Sequence, residues 1–183
     1  MEAGRLAAEL YSAVLTPFSV AAIESVVFSW FSPTGVEPIT SPGLSALLGI
    51  MILSIGPFLS VAYGRSIGRT DFHISDRNKR GPIYIASLVA YGVGVAVFWG
   101  TENKIMFVLS TAYLCVGFAM MLITFAWKIS AHTAATAGMA AAFWLVLGDW
   151  VLPVSVLVVL MILARVKLGA HTVLQALAGA AVS

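Results

Sequence analysis

The residues that could do chemistry in this chain lie in three short polar segments between long apolar stretches. The first segment, Gly64 to Arg80, reads GRSIGRTDFHISDRNKR; the second runs from Lys128 to Thr133, and the third from Arg165 to His171. Ionisable side chains are costly at membrane depth, so they usually pair with one another or mark a site. All three histidines of the chain belong to the candidate set, which is His73, Asp76, Arg77, Lys79, Arg80, Lys128, His132, Arg165, Lys167 and His171.

Several cations with two or three histidines and no acidic cluster suit a phosphate group. Guanidinium groups hold phosphate oxygens bidentately, and histidines can act as nucleophile and as proton donor. A hard cation such as Mg²⁺ prefers carboxylate ligands, and only Asp71 and Asp76 are available beside these residues. The pattern therefore favours phosphoryl chemistry, and we expect no metal ion, no cofactor and no nucleic-acid partner.

The polar segments are connected by long apolar stretches, which predict transmembrane helices. Of the 183 residues, 60% are hydrophobic and 10% charged, whereas an ordinary soluble domain has roughly 25% charged residues. A water-soluble fold is excluded, and we predict a single all-α transmembrane domain, residues 1–183, that forms a bundle of six or seven spans. Four predicted spans are long, Leu6–Phe31, Leu44–Tyr63, Ile83–Trp99 and Ile105–Trp127, and three are shorter, Ala134–Leu147, Val151–Ala164 and Leu168–Val182.

The basic residues predict an orientation for this multi-pass bundle. If the spans alternate, one side carries eight basic residues, and the loops of the opposite side carry only Lys104. By the positive-inside rule the basic side is cytoplasmic, together with the N-terminus. An even number of spans separates each polar segment from the next, so all three can meet at this face. The eight residues are Arg65, Arg69, Arg77, Lys79, Arg80, Lys128, Arg165 and Lys167.

The polar segments contain three motifs in order. They are His73, six residues and Arg80-Gly81-Pro82; then Ile129-Ser130-Ala131-His132; then Ala164-Arg165, five residues, His171, three residues and Gln175. This order resembles the type 2 phosphatidic acid phosphatase superfamily, whose signature is Lys-x6-Arg-Pro, Pro-Ser-Gly-His and Ser-Arg-x5-His-x3-Asp. The resemblance covers the C-terminal half of the chain well and the loop from Gly64 to Pro82 loosely.

The resemblance implies a metal-independent phosphohydrolase that acts on a lipid phosphate or a polyprenyl (di)phosphate through a phosphohistidine. In that family pattern His171 would attack phosphorus and His132 would protonate the leaving oxygen. Arg80 and Arg165 would clamp the equatorial phosphate oxygens as charge develops. Further candidates for phosphate binding are Ser130, Arg77, Lys79 and Lys128, the last of which could supply the cation of the missing first-motif lysine.

Gln175 is the main departure from the family pattern. On a helix shared with His171 it would lie one turn along the same face, where it could accept a hydrogen bond from the imidazole but would bring no negative charge. Asp71 or Asp76 could replace that charge from the loop and orient the histidine. A second hypothesis is therefore a catalytically inactive relative that binds or transports a phosphorylated lipid.

Two other classes of membrane protein are disfavoured. A small transporter or channel is a third hypothesis, but the sequence shows no clear inverted repeat and no pair of broken helices. Membrane prenyltransferases present Asp-rich metal motifs, and no Asp-x-x-x-Asp cluster is present.

The single cysteine, Cys115, lies in an apolar span, so an intramolecular disulfide is impossible. The sequence leaves the identity of the lipid and the oligomeric state open.

Overall fold

The computed structural model describes residues 2–36, 40–68 and 79–183, and the regular elements within these ranges are all helices. They include a π-helical segment, Ile50–Ile55, and a 3₁₀ segment, Asp149–Ser155. The predicted all-α class is confirmed for these ranges. Their α-helices are α1 Glu2–Val14, α2 Pro17–Phe31, α3 Pro42–Gly49, α4 Gly56–Ser66, α5 Arg80–Gly100, α6 Lys104–Ala126, α7 Ala131–Leu147, α8 Val156–Lys167 and α9 Val173–Val182.

The described helices are consistent with an integral membrane bundle, but the predicted six or seven spans are not confirmed. By length and composition four stretches of the described residues can cross a membrane, or five if α1 and α2, which meet at 52°, form one span. The predicted seventh span holds only the ten residues of α9, which reach ~15 Å, about half of the hydrocarbon thickness. The four stretches are Pro42–Ser66, Arg80–Gly100, Lys104–Ala126 and Asp149–Lys167.

The first predicted span, Leu6–Phe31, is broken near its middle at Pro17. Thr16 caps α2 by accepting a backbone N–H of the first turn at 3.1 Å, and Pro17 occupies the first helical position, where a missing N–H costs little. The preceding helix, α1, packs along α8, where the Tyr11 hydroxyl donates to the Leu157 carbonyl at 2.8 Å. The break thus lets α1 follow α8 while α2 enters the middle of the bundle.

The two ends of the bundle differ in character. We call the end at which α5 and α7 begin and α8 ends the site end. At the opposite end the buried Asn103 amide donates to Thr40 Oγ1 at 3.1 Å and to Ser45 Oγ at 2.8 Å, which fastens α3 to the start of α6. Exposed aromatic residues at this opposite end, typical of a membrane interface, are Trp30, Phe31, Trp99 and Trp150.

Candidate functional site

The C-terminal turn of α8 explains the spacing between Arg165 and His171. Gly169 ends the helix with a φ of +66°, a left-handed conformation that favours glycine. The chain then doubles back, so that the N–H groups of Ala170 and His171 both point to the Arg165 carbonyl, at 3.1 and 3.4 Å. As a result the side chains of Arg165 and His171 line the same cavity.

Helix α9 begins immediately after this turn. Thr172 Oγ1 accepts the Gln175 N–H at 3.3 Å, and Gln175 Oε1 accepts the Thr172 N–H at 3.1 Å, which is a capping box. The expectation that His171 and Gln175 lie one turn apart on a single helix is therefore wrong, because α9 starts at Val173 and His171 precedes its cap. The Gln175 side chain still interacts with the His171 ring.

The second motif forms the start of α7. Ser130 is buried and caps the helix, since its Oγ accepts the Thr133 N–H at 3.3 Å. Its own N–H donates to the Gln175 carbonyl at 3.3 Å, which joins the starts of α7 and α9. Among the described residues that line the cavity, His132 is present and Ser130 is not. The structure thus gives the Ser130 hydroxyl a capping role in place of the expected contact with phosphate.

Close packing of α9 depends on Gly179. A Cβ atom added there would lie 2.5 Å from the Ser130 carbonyl oxygen and 2.4 Å from Thr133 Oγ1. Real Cβ contacts are longer than this, so only glycine lets α9 approach the first turn of α7 so closely. This approach holds His132 and His171 at the same end of the cavity.

The first motif enters the site through Arg80, the first residue of α5. Its side chain is 6% exposed, and Nη1 donates to the Ile129 carbonyl at 3.0 Å, which links the first polar segment to the second. Lys79, one residue earlier, is exposed and is not among the described residues that line the cavity. Three other predicted candidates, His73, Asp76 and Arg77, lie outside the described residues.

A cavity of about 320 Å³ brings residues from the three segments together. Its polar end is formed by Arg80, His132, Arg165 and His171, and most of its remaining wall is apolar surface of α5, α6 and α7. Arg165 Nε and His171 Nδ1 are buried and have no hydrogen-bond partner among the described residues. Since buried polar atoms are normally paired, these two atoms are available to a ligand.

The electrostatics of the polar end keep His171 neutral. Burial lowers the pKa of its imidazole, and the positive charges of Arg165, Lys128 and Arg80 lower it further, to about 3, against the opposing effect of Gln175. A neutral imidazole retains a lone pair on one ring nitrogen and can act as a nucleophile. The same three cations make this end attractive to an anion.

We expect acid to destabilise the folded protein through His171. The imidazole takes up a proton near pH ~6.5 in the unfolded chain but only near pH 3 in the fold, so between these pH values the proton binds the unfolded chain and the free energy of unfolding falls as the pH falls. The expected loss is on the order of a few kcal/mol. Melting curves in detergent should show Tm falling more between pH 6.5 and 4 in the wild type than in His171→Gln, and equal falls would contradict the expectation.

Sequence reasoning missed a buried, hydrogen-bonded pair in this cavity. Glu24 on α2 is 2% exposed and accepts a hydrogen bond from the Tyr113 hydroxyl on α6, and both residues line the cavity. The signal that could have found Glu24 is a carboxylate in the middle of an apolar span, because ionisable residues at membrane depth usually have a functional reason.

The described residues form no metal site, and no similar protein of known function indicates the chemistry of the cavity. Within residues 2–36, 40–68 and 79–183, no group of three or more His, Cys, Asp or Glu side chains could hold a metal ion. The chain matches no protein-family model, no curated protein and no solved structure. The function of the cavity is therefore inferred from its own geometry.

Proposed function

We propose that the chain is an integral membrane phosphohydrolase that removes phosphate from a lipid phosphate, of the phosphatidic acid or polyprenyl (di)phosphate type, through a phosphohistidine. The observation that carries the proposal is a cavity in which two arginines and two histidines share one end and the rest of the wall is mostly apolar. A phosphate group matches the polar end, and a hydrocarbon chain matches the apolar wall.

Binding of the phosphate is assigned to the two arginines. The buried Arg165 Nε has no hydrogen-bond partner within the described ranges, and a guanidinium group can hold two phosphate oxygens in parallel hydrogen bonds. Arg80 is anchored through Nη1 to the Ile129 carbonyl, which fixes the direction of its remaining N–H groups. Lys128 contributes positive charge from beside the site, since it acts on His171.

Turnover is assigned to the two histidines. The neutral His171 ring attacks phosphorus, a P–N bond forms and the bond from phosphorus to the lipid oxygen breaks. His132, in its protonated form, gives a proton to that leaving oxygen, so the lipid departs as an alcohol. Water then attacks the phosphohistidine, His132 accepts a proton from it, and the P–N bond breaks to release inorganic phosphate. Arg80 and Arg165 stabilise the charge on the equatorial oxygens in both steps.

The lipid chain is placed along the apolar wall between α5, α6 and α7. Small residues on α6 and α7, Gly117, Ala135, Gly138 and Ala142, line the cavity and leave room for the chain. We place the site end at the cytoplasmic face of a multi-pass protein, because the basic residues at this end follow the positive-inside rule.

The test of the proposed function is phosphate release by the purified protein from a panel of lipid phosphates and polyprenyl diphosphates, in the presence of EDTA. We expect release from at least one member of the panel and no effect of the chelator on its rate. If the folded protein releases phosphate from no member, or only when a divalent cation is added, the proposed function is wrong.

A second candidate, a relative that binds or moves a phosphorylated lipid without hydrolysing it, is favoured by one observation. Gln175 stands where the family signature has Asp, and its side-chain oxygen is engaged in the capping box with Thr172. It brings no negative charge to His171. Tight binding of a lipid phosphate with no release of phosphate would support this second function.

Gln175→Glu is expected to increase phosphate release by about tenfold, the equivalent of ~1.4 kcal/mol. Glutamate can keep the capping box, and its charge beside His171 should raise the histidine pKa and stabilise the phosphohistidine. The measurement is kcat at neutral pH, with Gln175→Met as a control that removes the amide and adds no charge. A rate no higher than that of the wild type would show that the missing carboxylate does not limit turnover.

A further inference from the structure

The cavity has a second polar feature that the proposed reaction does not use. Glu24 is almost completely buried on α2, and the Tyr113 hydroxyl on α6 donates a hydrogen bond to its Oε2. Within the described residues the Glu24 side chain makes no other hydrogen bond, and Glu24 is one of the residues that line the cavity. The pair therefore keeps hydrogen-bonding capacity at the wall of the cavity.

This pair lies far from the polar end of the cavity, toward the opposite end of the bundle. Arg80 and Tyr91 line the cavity from the same helix, α5, and eleven residues separate them, which corresponds to ~16 Å along the axis. The Tyr91 ring contacts that of Tyr113, with 5.2 Å between ring centroids. Glu24 and Tyr113 are therefore about half of a bilayer thickness away from the two arginines.

The helix α5 connects the two polar regions along one face. Its residues Arg80, Tyr84, Ser87 and Tyr91 all line the cavity, and their spacing of four, three and four places them on one side of a helix. Along this face the Ser87 hydroxyl donates to the Ile83 carbonyl at 2.9 Å, and the Tyr84 hydroxyl accepts from Thr124 Oγ1 at 3.5 Å. The group that a simple hydrocarbon chain would leave without a further partner is therefore the Glu24 carboxyl, and a ligand that carries a polar group far from its phosphate would match it.

The chemistry of the pair selects the kind of polar group. Burial of a carboxyl oxygen without a hydrogen-bond partner costs free energy. A ligand that donates a hydrogen bond to that oxygen, or accepts one from it, offsets this cost. A hydroxyl group both donates and accepts, so it can pair with the carboxyl in either protonation state. Tyr113 holds the carboxyl in place through its own hydrogen bond.

We propose that Glu24 and Tyr113 form a second binding subsite, at mid-membrane depth, for a hydroxyl group on the chain of a lipid phosphate, ~16 Å from the phosphate along the axis of α5. The placement of the phosphate rests on the proposed function. Recognition of the hydroxyl rests on Glu24 and its position in the cavity.

The test compares dodecyl phosphate with its omega-hydroxy analogue, a chain of suitable length to run from the arginines to Glu24. Native mass spectrometry of the full-length protein released from detergent would measure both dissociation constants for the wild type, Glu24→Leu and Arg165→Gln. In the wild type the hydroxyl should tighten binding about fivefold, as expected for one net hydrogen bond. Glu24→Leu should bind the two amphiphiles equally, whereas Arg165→Gln should weaken both by the same factor.

The outcomes separate the two proposals. A hydroxyl preference that Glu24→Leu abolishes supports the subsite, even if Arg165→Gln changes neither affinity, a result that would count against the phosphate site alone. Equal affinities in the wild type overturn the subsite whatever Arg165→Gln does, and this comparison needs no variant to fold. A preference that survives in Glu24→Leu overturns it as well. If Glu24→Leu does not fold, Glu24→Gln takes its place and should reduce the preference.

Discussion

Replacement of His171 by alanine is expected to lower phosphate release by at least about 10³-fold and to leave the affinity for the lipid phosphate nearly unchanged. The reason is that alanine removes the nucleophile and no other group, while Arg80 and Arg165 still hold the phosphate. The imidazole is suited to this role because it is neutral, buried and beside a guanidinium group, with Nδ1 free of any partner among the described residues.

The measurement combines kcat with trapping of the intermediate. Wild-type protein quenched in base after mixing with radiolabelled substrate should carry label on His171, because phosphohistidine survives alkali, and His171→Ala should carry none. His132→Ala is the matched comparison, since it removes the proton donor and retains the nucleophile; it should still label, more slowly. Substantial phosphate release by His171→Ala would exclude the phosphohistidine mechanism.

Arg165→Gln is expected to lower kcat/KM by about 10²-fold, since it removes a charged donor that faces the developing charge on phosphate. Arg165 is 4% exposed and lines the cavity, so no solvent replaces its hydrogen bonds. Arg65→Gln is the control, because Arg65 is exposed near the end of α4 and should change kcat/KM less than about twofold.

A second readout separates a role in the site from a structural role. Arg165 lowers the pKa of His171, so its replacement should raise that pKa and shift the acid limb of the pH profile of kcat/KM upward. Arg165→Lys keeps the charge and should preserve the pH profile while it loses the paired hydrogen bonds. An unshifted profile in Arg165→Gln, with a loss of activity no larger than that of Arg65→Gln, would remove Arg165 from the site.

Much of the helix pattern could be predicted from the sequence, because transfer to a membrane depends on the local sum of apolar side chains. The predicted span Ile83–Trp99 lies within α5, Arg80–Gly100, and Ile105–Trp127 overlaps almost all of α6, Lys104–Ala126. The start of α9 was also readable, because Thr172 and Gln175 have the spacing of a capping box. Gln175 thus has a local role in this cap that is independent of any role in catalysis.

The helical class, the apolar stretches and the identities of the charged and histidine residues can be read from the sequence, because helix propensity and membrane transfer are sums over neighbouring residues. Which of these residues share a cavity depends on the packing of the helices. It is the packed fold that brings Arg80 to the Ile129 carbonyl, makes Ser130 a helix cap and pairs Glu24 with Tyr113, 89 positions away in the chain. A cavity depends on distances between packed helices, and here one such distance is set by the missing side chain of Gly179.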